Sequence, residues 1–187
     1  MRFALVLLLS LACAASAAPM KPAAHKPEKP VLDTLFAQLA KAQSPDDAKP
    51  IEEQILAQFE QSGSPSVDLL MARGAAALGG GDNDTAKKLF ASVTQIAPNF
   101  AEGWHERAQL QQQDGDDEAA MISLQKVVTL NPRQFEAISE LGDMLEEYGN
   151  KPGALKMYRR ALALDPQLEG AAKHLRELEK DVEGQGI

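Results

Sequence analysis

Several residues in this sequence are of types that could do chemistry. Carboxylates crowd two short runs, Asp82-Asn83-Asp84 and Asp114-Gly115-Asp116-Asp117-Glu118, and calcium takes ligands of this type. An EF-hand loop, however, needs about twelve residues closed by a bidentate Glu, and these runs are short turns. The histidines His25, His105 and His174 lie far apart, with no zinc-ligand spacing. Gly79-Gly80-Gly81 lacks the Lys-Ser/Thr that completes a phosphate-binding loop. No Ser, His and Asp set is arranged for nucleophilic catalysis. The expectation is no metal, no cofactor and no enzyme. Arg73 and Arg107 have two readings: guanidiniums aimed at an anionic partner, or stems packed between helices with their heads on Asp68 or Glu102.

The elements that must hold these residues show themselves by a fixed interval. Gly81, Gly115 and Gly149 stand 34 residues apart, as do Ala86, Ala120 and Ala154, and Pro98, Pro132 and Pro166. A period of this length marks stacked helix-turn-helix units. Each glycine suits the left-handed conformation of a helix C-terminus. The residues that follow, Asp82, Asp84, Asp116, Asp117 and Asn150, suit the N-cap of the next helix. Small residues at Gly74, Ala108 and Gly142 let the first helix of each unit approach the second, with Phe90, Leu124 and Tyr158 filling the space between neighbouring units.

Three regular units result, 67–100, 101–134 and 135–168. Residues 169–187 follow as a capping helix and tail, with Leu168, Ala171, Ala172, Leu175, Leu178 and Val182 on one stripe and a Glu169–Lys173 pair on the wet side. Before the units, Leu32, Leu35, Phe36 and Leu39 follow helical spacing. Ser44 to Asp47 break that pattern and Pro50 opens a second helix at its first position. The segment 31–66 therefore reads as a degenerate helical hairpin that caps the front of the array.

The pattern Trp104, Ala108, Ala120, Leu124, Val127 and Pro132, with Leu141, Gly142, Leu145, Ala154, Tyr158, Ala161 and Pro166 one unit later, resembles the tetratricopeptide repeat. The resemblance implies an all-α, α-α superhelical solenoid of helix-turn-helix tetratricopeptide repeats with a C-terminal capping helix. It also implies a concave face lined by positions 2, 5, 9, 12 and 13 of each first helix. Carried over residue by residue, the partner-binding candidates are Met71, His105, Gln109, Gln112, Asp143, Glu146 and Glu147, with Glu102 and Glu136 at position 2. The lysines and asparagines with which some members clamp a C-terminal carboxylate are absent from these positions. An acidic groove favours a basic or hydrogen-bonding protein segment. Glu146 and Glu147 also read as a merely solvated face, and Trp104 reads as core.

Residues 1–18 have the form of an export signal, with an apolar run from Ala4 to Ala15 and a small-x-small site at Ala15-Ser16-Ala17. A cleaved signal is the first reading; lipid attachment at Cys13 is the second. Residues 19–30, with Pro19, Pro22, Pro27 and Pro30 among Lys21, Lys26 and Lys29, form a linker, read as a spacer or as a basic docking arm. Removal of the signal leaves 18 basic and 27 acidic residues, a net charge of −9. That balance argues against nucleic acid and anionic membrane surfaces. The chain is expected to act in a Gram-negative periplasm as a protein-protein interaction scaffold, or alternatively in assembly through self-association of repeat edges.

Overall fold

The computed structural model describes residues 29–184. The expected export signal, residues 1–18, and residues 19–28 of the expected linker lie outside the described residues. The described chain is helical throughout: α1 (Lys29–Leu39), α2 (Pro45–Phe59), α3 (Pro65–Gly79), α4 (Asn83–Ile96), α5 (Ala101–Gln113), α6 (Asp117–Leu130), α7 (Phe135–Glu147), α8 (Lys151–Leu164) and α9 (Glu169–Gly184). The architecture is an all-α helical-repeat superhelix in which α3 to α9 each pack on the next.

The recurring turn is built the same way three times. Gly81, Gly115 and Gly149 have φ of 76°, 74° and 75°. In each case the glycine N–H and the N–H after it turn back onto the helix: Gly81 to Leu78 O at 2.9 Å and Asp82 to Ala77 O at 2.8 Å, with the same pair at the other two turns. This double closure satisfies carbonyls that a helix end leaves open. Asp82, Asp116 and Asn150 then accept from the N–H groups of Thr85, Ala119 and Gly153. One helix is thus stopped and the next started within a few residues.

Close approach of helices rests on missing side chains. A Cβ on Gly74 would lie 2.5 Å from the Phe90 ring, and one on Gly142 would lie 2.7 Å from the Tyr158 ring. Phe90 and Tyr158 therefore seat on the glycine of their own unit rather than between units, as the sequence suggested. The joint between units is another pair. A Cβ on Gly103 would meet Val93 at 2.5 Å. One unit on, Val127 and Ala137 share a core, and beyond them Ala161 and Ala171 do the same. Gly103, Ala137 and Ala171 keep the 34-residue interval, so each joint repeats the one before.

The front of the molecule departs from the sequence reading in three ways. Pro50 does not open a helix. Ser44 caps α2 by accepting from the Asp47 N–H, Pro45 takes the first turn, and Pro50 sits inside the helix, where its missing N–H leaves one bond unmade. Lys29 and Pro30 belong to α1 rather than to a linker. Most importantly, the hairpin α1–α2 does not cap the stack in series. Leu32, Leu35, Phe36, Leu39, Ile55 and Phe59 form a core that closes on Phe135 of α7, with Leu164 and Leu168 packed against it. In the 34-residue register Glu52 stands where the units have Ala86, Ala120 and Ala154, and Phe59 where they have Val93, Val127 and Ala161, so the second helix lacks the small residues that serial nesting uses. The hairpin returns across the array instead.

Glycine substitutions separate close contact from helix propensity. Gly142→Ala is expected to destabilise by about 1–3 kcal/mol through overpacking against Tyr158. Gly170→Ala, with nothing within 4 Å of the added carbon, is expected to stabilise by about 0.5 kcal/mol. Urea denaturation midpoints check both; the same sign for the two would show that helix spacing is not set at Gly142.

Candidate functional site

Successive stacking places equivalent residues of α5 and α7 side by side. Glu102 and Glu136 share position 2, and Glu106 and Glu140 share position 6, at the same 34-residue interval. The result is a ladder of carboxylates on neighbouring helices. His105 lies inside it, 3% exposed, with Nδ1 3.4 Å from Glu102 Oε1 and Nε2 2.9 Å from Glu140 Oε2. Burial alone would lower the imidazole pKa, but hydrogen bonds and charge from Glu102 and Glu140 outweigh it and push it up to about 10. His105 is therefore an imidazolium at neutral pH. It is the internal counter-ion of the ladder rather than a group presented to a ligand.

Burial raises the remaining carboxyls. Glu106 and Glu136 are both pushed up chiefly by loss of water, with Glu102 adding to it in each case and His105 opposing it. The Gln109 amide lies 3.4 Å from Glu140 Oε1 and 3.5 Å from the His105 ring. The Gln134 amide nitrogen donates to Glu102 Oε2 at 3.3 Å, while its own oxygen is buried without a partner.

A second acidic group follows along α7. The Tyr158 hydroxyl lies 2.7 Å from Asp143 Oδ1 and 2.8 Å from Glu146 Oε2, and Glu146 also meets His174 Nδ1 at 3.0 Å. Burial and the two carboxylates raise the Tyr158 pKa, which keeps the phenol a donor. Loss of water raises that of Asp143, with the Tyr158 bond opposing. Glu147 is exposed and Gln112 is half-buried. Met71 is half-buried against Ala86, Phe90 and Leu110 and so belongs more to the first unit's core than to a polar face.

The structure thus joins His105, Gln109, Asp143 and Glu146 to carboxylate networks. It leaves Glu147 and Gln112 open and turns Met71 inward. Glu106 and Glu140 were not among the sequence candidates, although their 34-residue spacing was visible. Trp104 is half-buried, its Nε1 donating to Pro98 O at 3.1 Å. The Arg107 head lies 5.4 Å from the Trp104 ring centre and donates to Thr94, not to Glu102. Among the described residues no group of His, Cys, Asp and Glu could hold a metal ion, and no helix is long and apolar enough to cross a membrane.

The hairpin α1–α2 reaches this face. Glu52 of α2 meets Asp165 at the end of α8 and lies near Glu136; Glu60, just past α2, lies near Glu106. Burial and then the Asp165 charge push the Glu52 pKa up to about 7. While it holds a proton, the Glu52 carboxyl donates to Asp165.

Comparison with known proteins bears on the family and the fold. The model of the tetratricopeptide repeat matches residues 101–134. A TPR repeat-containing protein of Rhizobium etli is 30% identical over 153 residues, spanning 82% of this chain and 75% of that one. Among solved structures, the first TPR of Spaghetti (RPAP3) bound to the HSP90 peptide SRMEEVD superposes with a TM-score of 0.57 at 22% identity, over 62% of this chain and 92% of that one. An O-GlcNAc transferase mutant of Thermobaculum terrenum matches with a TM-score of 0.54 at 25% identity, over 60% of this chain but 22% of the transferase.

Two measurements test the electrostatics. His105→Leu leaves Glu102 and Glu140 without their cation and is expected to cost about 3 kcal/mol. The raised pKa values set a sign for pH. His105 contributes stability below its unfolded pKa of 6.5 that is lost as pH rises through about 10. Glu52 contributes stability below 4.5 that is lost as pH rises through about 7. Unfolding free energy should therefore fall between about pH 5 and pH 8, and Glu52→Gln should flatten the part of that fall below about pH 7. A rise over the same interval would contradict the assignment.

Proposed function

The chain belongs to the tetratricopeptide-repeat family, and we propose that it is an exported, periplasmic module that binds a protein segment on the acidic face of α5 and α7, without turnover. Domains of this family generally mediate protein-protein interaction. The observation that carries the reading is the carboxylate ladder of Glu102, Glu106, Glu136 and Glu140 with a single buried imidazolium within it. Such a face repels a free carboxylate and attracts basic or hydrogen-bond-donating segments. Gln112, Asp143, Glu146 and Glu147 extend it along the first helices, and Gln109 and His105 fix its middle. The division into the units 67–100, 101–134 and 135–168, with 31–66 before and 169–187 after, belongs to the same proposal. So does export through residues 1–18, for which the apolar run and the small-x-small site are the support.

One observation favours a second reading, assembly through self-association. Leu69 on α3 is 53% exposed, and exposed Ala72 and Ala76 share its helix. Because α2 does not stack on α3, that edge of the array is open to another copy. Light scattering separates the two: a mass that rises with concentration favours assembly, and a constant monomer favours the interaction module.

The proposed site is tested by replacing Gln112, Asp143 and Glu147 with Ala. Affinity for the partner captured from the cell envelope is expected to fall about tenfold or more, equivalent to about 1.4 kcal/mol, with helix content unchanged. Undiminished capture by this variant would remove the face from consideration.

A further inference from the structure

The hairpin α1–α2 is held to the array differently from every other helix. From α3 onward, neighbours interlock through small and bulky side chains. The hairpin docks through its apolar stripe on Phe135, Leu164 and Leu168, and a few polar and ring contacts near the inter-unit loops pin it there. The Arg133 guanidinium lies 3.8 Å from the Phe36 ring centre and pairs with Asp33 at 2.5 Å. Phe36 meets Phe135 edge-on, with ring centres 6.4 Å apart. The Gln167 amide donates to Ala42 O at 3.0 Å.

Against these fastenings stand acidic groups. Glu52 lies against Asp165 and near Glu136, donating to Asp165 while it holds a proton and repelling it once ionised above about pH 7, and Glu60 lies near Glu106. The same region buries two polar atoms that accept no hydrogen bond from the array: Gln134 Oε1 and Asp165 Oδ2. Both side chains are fully buried. A face of carboxylates whose acceptors the array itself leaves unmet suits ammonium or guanidinium groups, which donate and neutralise at once. A second acidic helix suits it poorly.

We infer that the face formed by Glu102, Glu106, Glu136 and Asp165 is a seat for a cationic protein segment, and that α1–α2 is an internal cover which this segment displaces. The inference rests on the interaction reading above and adds the partner's chemistry and the event that admits it. Glu52 and an incoming cation compete for the same Asp165 carboxylate, so the two occupants exclude each other. The hairpin leaves as a unit, because α1 and α2 pack on each other, with the Phe36 and Phe59 ring centres 6.4 Å apart. The connection to α3 contains Gly63 at φ 73°, a position where the chain turns without side-chain strain.

The test uses the full chain and a short synthetic peptide of alternating Arg and Ala, in about 0.15 M salt to suppress unspecific pairing. Amide hydrogen exchange and calorimetry are the readouts. Added peptide should speed exchange in residues 31–59 and slow it in 101–106 and 135–140. Phe36→Ala loosens the cover without altering charge and should tighten binding about five- to tenfold, because less of the binding energy goes into opening. At about pH 8, above the Glu52 pKa of about 7, Glu52→Gln removes a charge facing Asp165 and should slow exchange of α1–α2 before any peptide is added. If the peptide binds while exchange of 31–59 stays constant and Phe36→Ala binds no tighter, the cover is overturned and the interaction reading stands. If neither wild type nor Phe36→Ala binds the peptide, the cationic seat falls, and with it the preference for a basic partner.

Discussion

The fold depends on how near two helices can come. Gly74 and Gly142 admit the rings of Phe90 and Tyr158 where any Cβ would collide, and Gly103 admits Val93. These contacts fix the spacing within a unit and between units. Because the residues recur at one interval, each joint copies the last and the array propagates without long-range decisions. The turns do not set the spacing, but they make it possible. A left-handed glycine followed by a capping Asp or Asn reverses the chain within a few residues, so consecutive helices have nowhere to pack except on each other.

Repetition has an electrostatic consequence. Stacking identical units in register sets identical side chains beside one another, so a carboxylate repeated at one position becomes a row of like charges. Glu102 with Glu136, and Glu106 with Glu140, are such rows. At an ordinary surface water would screen them; here partial burial raises the pKa values of Glu106 and Glu136. His105 offsets the cost by bridging Glu102 of its own helix and Glu140 of the next. The histidine was legible in the sequence as a residue on the concave register. Its role was not, because the partner lies 35 residues away on a neighbouring helix and its protonation depends on burial that only packing reveals.

The same distinction separates what the sequence disclosed from what it did not. Helix order, the turn glycines, their caps and the small residues at helix crossings follow from local chemistry repeated in register, and they are readable because the repeats corroborate one another. Glu106 and Glu140 are equally periodic, but position 6 lies outside the concave register that the family resemblance implies. The docking of α1–α2 is a different matter. Arg133 on Phe36, Phe36 on Phe135 and Gln167 on Ala42 are single contacts between residues about 100 or more apart. They have no periodicity to betray them. Pro50 misled for a related reason: a proline at a helix start is the better local reading, yet Ser44 and Pro45 had already supplied one, and the hairpin core holds the helix through the lost bond.

A hairpin that could not nest in series had two other resting places. Left free, it would expose Leu32, Leu35, Phe36 and Phe59, an apolar stripe that water penalises. Returned across the array, it covers that stripe with Phe135, Leu164 and Leu168, but must lay Glu52 and Glu60 against a face already acidic. Hydrophobic burial decides in favour of docking, and the charge repulsion then subtracts from it. What remains is an attachment opposed by the feature that, on the proposal above, suits the face to a basic partner. Glu52 holds a proton against Asp165 below about pH 7 and repels it above, and that contact ties the closure of the hairpin to the charge of whatever approaches the face.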